Sequence, residues 1–253
     1  MAVYRDAGLV LRTRDLGEAD RIVTLLTADH GKVRAVAKGV RRTASRFGAR
    51  LEPFMHVDLQ LYEGRNLDTV TQAVTRAAYS APIMANYPAF TAASAVVEAA
   101  DKLSPVEHHP ARALFRLTLG ALAALARGAH LTGTVLDSYL LRALATAGYA
   151  PALGDCATCG APGPHRAFAA SAGGMVCANC RPPGAAAPTP ATVALLGALL
   201  EGNWPAVAAA PPAATTDAAG LVAAFTQYHM ERAIRSLRLV ERPEPEDSSR
   251  YTV

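Results

Sequence analysis

The sequence predicts a multidomain β + α protein: an N-terminal barrel, a central all-α helical domain and a four-cysteine element packed on the helices. Three observations carry that reading. The hydrophobic period changes from that of strands to that of helices near residue 80. Composition shifts at the same place, with alanine 11 of the first 80 residues and 44 of the remaining 173. The four cysteines form two C-x2-C pairs separated by 17 residues.

In the first segment, Val57-Asp58-Leu59-Gln60-Leu61 alternates apolar and polar residues, which half-buries a pleated strand. Residues 4–13, 22–27, 32–40 and 69–79 supply four more strand-like runs. Turn residues punctuate them at Gly17, Gly31 and Gly64. Five short strands with a longer connection after the third suit a small closed barrel of the OB type. Spacing alone does not separate it from an SH3-like barrel.

Beyond residue 80 the apolar stripes are helical: Phe90, Ala93, Val97 and Ala100; then Leu114, Leu117, Ala121 and Leu125 behind Pro110; then Leu136, Leu140, Ala143 and Ala147. Pro110 is expected in a first helical turn, and Gly148 with Pro151 ends the third helix. Ala/Pro linkers are expected at 182–190 and 205–216, flanking a short helix, with a longer helix over about 218–239. The domains are then expected at 1–80 (barrel), 81–150 with 186–240 (helices) and 151–185 (cysteine element), followed by a flexible tail at 241–253.

Cys156, Cys159, Cys177 and Cys180 have the spacing of two tight knuckles, and Gly173-Gly174 offers a hairpin that brings them together. Four thiolates satisfy one tetrahedral Zn2+ with no open position, so the ion is expected to be structural. Disulfides, an iron–sulfur cluster or a redox pair are the alternatives. His165 lies inside the loop and is expected to be a solvent-exposed residue rather than a ligand.

The formal net charge is +4, from 25 basic and 21 acidic side chains, and all of the excess falls within residues 1–80. Residues 32–50 carry Lys32, Arg34, Lys38, Arg41, Arg42, Arg46 and Arg50 and no acid. Lys32, Arg34 and Lys38 share parity and project to one strand face. Such a face neutralises phosphates, and barrels of this class stack bases on aromatic rings. Phe47 is the expected platform, with Tyr4 and Tyr62 behind it; the plainer alternative is solvated arginines around a core ring.

No Walker A loop, G-x-S-x-G or H-E-x-x-H occurs. Glu18 with Asp20, His108 with His109, and His229 each read as structural, and no enzyme is expected. The longest charge-free stretch, 77–97, is broken by Ser80, Pro82, Asn86 and Pro88, so no membrane span is expected. Arg5, Asp6 and Arg12 interrupt any leader-like run, which points to a cytoplasmic protein.

Taken in order, these pieces resemble the RecO family of bacterial recombination proteins. GLVLRTRDLGEAD at 8–20, IVTLLT at 22–27 and GKVRAVAKG at 31–39 look like its opening signature. SRFG at 45–48, LEPF at 51–54, LQLY at 59–62, GYAPAL at 148–153 and the C-x-x-C-G at 156–160 continue it, as do Tyr228-His229 and Arg235-Ser236-Leu237. A lysine common before the serine of that basic segment is Ala44 here. The resemblance implies a non-enzymatic mediator, nucleoid-associated, that binds single- and double-stranded DNA and anneals complementary strands. It also implies that such a protein works with RecR to help RecA replace single-strand-binding protein, whose acidic C-terminal peptide docks on the helical domain. An RNA-binding module of OB barrel and zinc ribbon is the alternative; a zinc enzyme acting on nucleotides is disfavoured by the closed ligand set.

Overall fold

A computed structural model describes residues 2–230 and Val240 of the chain. The end of the expected helix at 218–239 and the tail from 241 lie outside the described residues. The chain divides into two compact units whose described parts are residues 2–132 and 133–230, with Val240 in the second.

Five strands open the first unit: β1 (Val3–Leu16), β2 (Asp20–Thr27), β3 (Gly31–Ala37), β4 (Met55–Tyr62) and β5 (Asp68–Ala78). They close into a barrel in the order β1-β2-β3-β5-β4. Only the β3–β5 seam is parallel, and it is short, with Ala35 opposite Asp68 and Val36 opposite Thr69. That order, with the longest connection after β3, is the OB-like arrangement the spacing anticipates.

Closure depends on β1, which pairs with β4 through Val3–Leu9 and with β2 from Gly8 onward. A register shift between Val10 and Arg12 bends it around the corner. Val10, Val23, Leu25, Val33, Ala35, Val57, Leu61 and Val70 are wholly buried in the barrel core. Each buried branched side chain contributes about 1.5–3 kcal/mol relative to exposure.

The same unit contains α1 (Ser80–Met84), α2 (Tyr87–Leu103) and α3 (Arg112–Arg127). Asn86 caps α2 by accepting the Ala89 N–H. Gly128, in the left-handed conformation, ends α3. Pro110 lies two residues before α3 rather than in its first turn. Helix α2 packs on β1 and α3 on β2, so Leu9, Leu11 and Leu26, which the barrel interior does not use, are buried as well.

His56 of β4 stands edge-on to Phe115, its ring 6.0 Å away, and its buried Nε2 has no hydrogen-bond partner among the described residues. Burial, assisted by the charge of Arg76 and opposed by Asp58, lowers its pKa from the ordinary histidine value. A depressed histidine favours the folded state while neutral and penalises it once protonated, so its contribution is present above about pH 6.5 and is lost on acidification below that. Unfolding followed from pH 7.5 to 5 should therefore show a shallower loss of stability in His56→Leu than in the parent chain. Equal slopes would refute this.

The second unit comprises most of α4 (Thr132–Thr146), a hairpin of β6 (Ala167–Ala169) and β7 (Gly174–Val176), and α5 (Pro190–Glu201), α6 (Trp204–Ala208) and α7 (Pro212–His229). Residues 134–141 of α4 are buried on every face, the polar Thr134, Asp137 and Ser138 among them. Ser138 inside it donates to the Leu199 carbonyl at 2.7 Å. Ala147 falls outside α4 and is exposed. The linker expected at 205–216 is mostly helix: prolines 205 and 212 sit in first turns of α6 and α7, where a missing N–H costs nothing.

Candidate metal centre and nucleic-acid interface

The four cysteines converge. Cys156, Cys159, Cys177 and Cys180 place their sulfurs within 4.8 Å of one another, and Cys159 and Cys177 stand 3.8 Å apart. Four sulfurs about 2.3 Å from one centre at tetrahedral angles would be about 3.8 Å apart, so the set suits a four-coordinate metal ion. Each knuckle is held by its own backbone: Gly160 N–H donates to the Cys156 carbonyl, and Cys180 N–H to that of Cys177. Hydrogen bonds from the Cys177 and Cys159 N–H groups lower the Cys156 thiol to about 6, while bonding to the Cys177 and Cys159 thiols pushes Cys180 up to about 12.

The expected glycine hairpin joins the knuckles, with Gly173 at φ 88°. Gly174 approaches the Ala152 backbone so closely that a Cβ would lie 2.2 Å from its carbonyl oxygen. Phe168 of β6 packs its ring on Phe225 of α7, which seats the element on a helix as expected. His165 is half-buried rather than exposed, its Nε2 2.9 Å from the Ala161 carbonyl. It is not among the converging groups. His229 sits among Tyr149, Phe225 and Tyr228, apart from the sulfurs.

The structure separates the basic residues into two groups. Lys32 and Arg34 are not free: the Lys32 ammonium donates to the carbonyl and Oδ1 of Asp101 at 3.0 and 3.1 Å, and Arg34 Nε donates to Glu107. Lys38, Arg42 and Arg46 are exposed and, among the described residues, form no ion pair. Arg41 donates to the Gly17 carbonyl and pairs with Asp15. Arg50 donates to the carbonyls of Arg46 and Phe47, so its charge has no carboxylate opposite it among the described residues.

Phe47 corrects an expectation. It is 1% exposed, in the barrel core with Leu51, and offers no face for a base. A short 3-10 turn at Gly48–Leu51 follows it. The four-residue spacing puts Phe47 and Leu51 inside the barrel and leaves Arg46 and Arg50 outside, Arg46 lying 4.9 Å from the Phe47 ring centroid. Tyr4 is half-buried and its hydroxyl donates to Asp68, burial and that bond raising its pKa. Tyr62 is 39% exposed.

The loop bearing the free cations rests on the β1–β2 hairpin. Gly39 N–H donates to Asp20 Oδ1 at 2.7 Å, and Arg41 N–H to the Ala19 carbonyl at 3.0 Å. Asp20 is therefore a loop anchor, a structural role of the kind expected for it. The hairpin also carries Arg14, exposed and without an ion pair among the described residues. Sequence reasoning misses Arg14 because it lies outside the acid-free run; pairing the strands across the Gly17 turn is the signal that points to it.

Among the described residues no helix is long and apolar enough to cross a membrane. Two family models match the chain: Recombination protein O N terminal over residues 1–79 and Recombination protein O C terminal over residues 84–238. A relative from Thermobifida fusca (strain YX), the DNA repair protein RecO, is 59% identical over 242 residues, covering 96% of this chain and 100% of the relative. An OB-like barrel, a helical region and a convergent cysteine quartet thus occur in a chain that two successive models of one family span almost end to end, and the chain belongs to the RecO (recombination protein O) family.

Proposed function

We propose that this chain is a DNA repair and recombination mediator that binds single- and double-stranded DNA through the barrel and anneals complementary strands. The observation that carries the reading is the trio Lys38, Arg42 and Arg46, exposed and without an ion pair among the described residues, with Arg50 and Arg14 adding charge. Complementary strands repel through their phosphates. A multivalent cationic surface lowers that repulsion, releases counterions and raises the local concentration of the strands. Binding and charge suffice for this work, so we infer a mediator rather than an enzyme. Zn2+ is the ion that four thiolates at this spacing favour, in a structural role. The protein would act with RecR to help RecA onto DNA coated by single-strand-binding protein, the partners the family resemblance implies.

The test is annealing of complementary strands already coated by single-strand-binding protein. The chain should accelerate duplex formation, and RecR should promote RecA loading on the same coated strands in its presence. No acceleration, or a preference for RNA over DNA of equal length, would overturn the proposal.

A further inference from the structure

Arg34 on β3 faces outward, away from the barrel core, yet it is already engaged by a carboxylate. The reason lies in the segment between α2 and α3. Because β5 meets β3 only at Ala35 and Val36, the first half of β3 has an open backbone edge. The α2–α3 segment fills it: Glu107 bridges Lys32 in parallel, and His108 N–H donates to the Lys32 carbonyl at 2.9 Å. The approach is so close that a Cβ on Gly31 would stand 1.8 Å from the His109 carbonyl oxygen. Arg112 of α3 pairs with Asp29 at 2.7 Å just beyond. The strap is thus fixed by its main chain, and its side chains fall on the basic strand.

Two carboxylates meet three cations there. Asp101 holds Lys32 at 3.1 Å and Arg12 at 3.1 Å, and Glu107 holds Arg34. The two pairings on β3 differ in kind. Lys32 is 12% exposed and is tied to a main-chain carbonyl as well as to the carboxylate, so it is part of the packing. Arg34 and Glu107 are 44% and 30% exposed, an ion pair open to solvent and weak for that reason. A carboxylate offers a guanidinium the same oxygen acceptors that a phosphate does.

We propose that Glu107 is a built-in competitor for nucleic-acid phosphate at Arg34, and that bound DNA takes its place. This rests on the DNA-binding reading above and adds its regulation: the strap lowers affinity at rest, and the β3 face joins the Lys38–Arg42–Arg46 surface only when a strand is present. Salt and DNA both loosen the pair, but by different means. Salt screens Arg34 from both partners, whereas a strand exchanges one for the other.

The experiment measures binding of a labelled oligothymidylate to the full chain across a range of salt concentrations. The variants are Glu107→Gln, Arg34→Ala, the two combined, and Glu201→Gln, an exposed α5 residue in the second unit, as control for net charge. Glu107→Gln keeps the side-chain shape and should tighten binding several-fold at low salt. The number of phosphate contacts in the complex is the same with or without Glu107, so the salt slope should stay near that of the parent, whereas Arg34→Ala should flatten it by about 0.7, one lost single-strand contact. Glu201→Gln should change neither, and Glu107→Gln should gain nothing when Arg34 is alanine. A gain that survives Arg34→Ala, an equal gain from Glu201→Gln, or a slope that Arg34→Ala leaves unchanged overturns the proposal. Binding by the parent chain that is the same in Glu107→Gln overturns this inference alone; no binding by the parent or any variant overturns the DNA-binding reading with it.

Discussion

Serine in place of Cys156 should strip the metal from the chain and unfold the cysteine element. The reason is how little else holds it. Its buried cluster is Cys156, Ala167, Ala169 and Val176, its strands are three residues each, and Phe168 and Met175 are the other buried side chains of those strands. A structural zinc contributes on the order of 10 kcal/mol to such an element, as much as several large buried side chains at about 1.5–3 kcal/mol each. The expected result is loss of one metal equivalent by elemental analysis, with rapid proteolysis within residues 153–186. Barrel stability and intrinsic DNA affinity should change little, because the quartet lies in the second unit. A variant that keeps its metal and its protease resistance would refute this. One that stays folded and loses DNA binding selectively would make the element a contact surface.

The second large effect concerns Lys38, Arg42 and Arg46. Changing all three to alanine should flatten the dependence of single-strand affinity on salt by about 2, from about 0.7 per phosphate contact. The weakening should be similar across sequences, since such contacts position a strand without reading bases. Stability should fall by less than about 1 kcal/mol, the scale of an exposed cation–π interaction. The three form no ion pair among the described residues, and the substitution removes the Arg46 guanidinium from beside the Phe47 ring. The slope comes from titrations at several salt concentrations and the stability from urea unfolding. An unchanged slope in a stable variant would remove these residues from the interface.

What the sequence discloses is uneven, for physical reasons. Strand alternation at 57–61 is legible because one face of β4 meets a core and the other does not. The quartet is legible because metal coordination is encoded in local spacing. The role of each cation is not. Lys32 and Arg34 look the same as Lys38 in the sequence, and what separates them is a pair of carboxylates about 70 residues on, Asp101 and Glu107. Phe47 misleads for a related cause: its neighbours are charged, but a single 3-10 turn directs it inward and them outward. Prolines 205 and 212 suggest linkers, although at the first turn of a helix proline is at home.

The family models part company between residues 79 and 84, whereas packing divides the described chain at 132 and 133. Ancestry and mechanics therefore draw different borders. A barrel excised at residue 80 would carry Leu9, Leu11 and Leu26 into water, a greasy flank that invites clumping. The first compact unit of this molecule is the barrel with its three attendant helices, and a change deep in α3 belongs to the barrel's fate as much as one in β2.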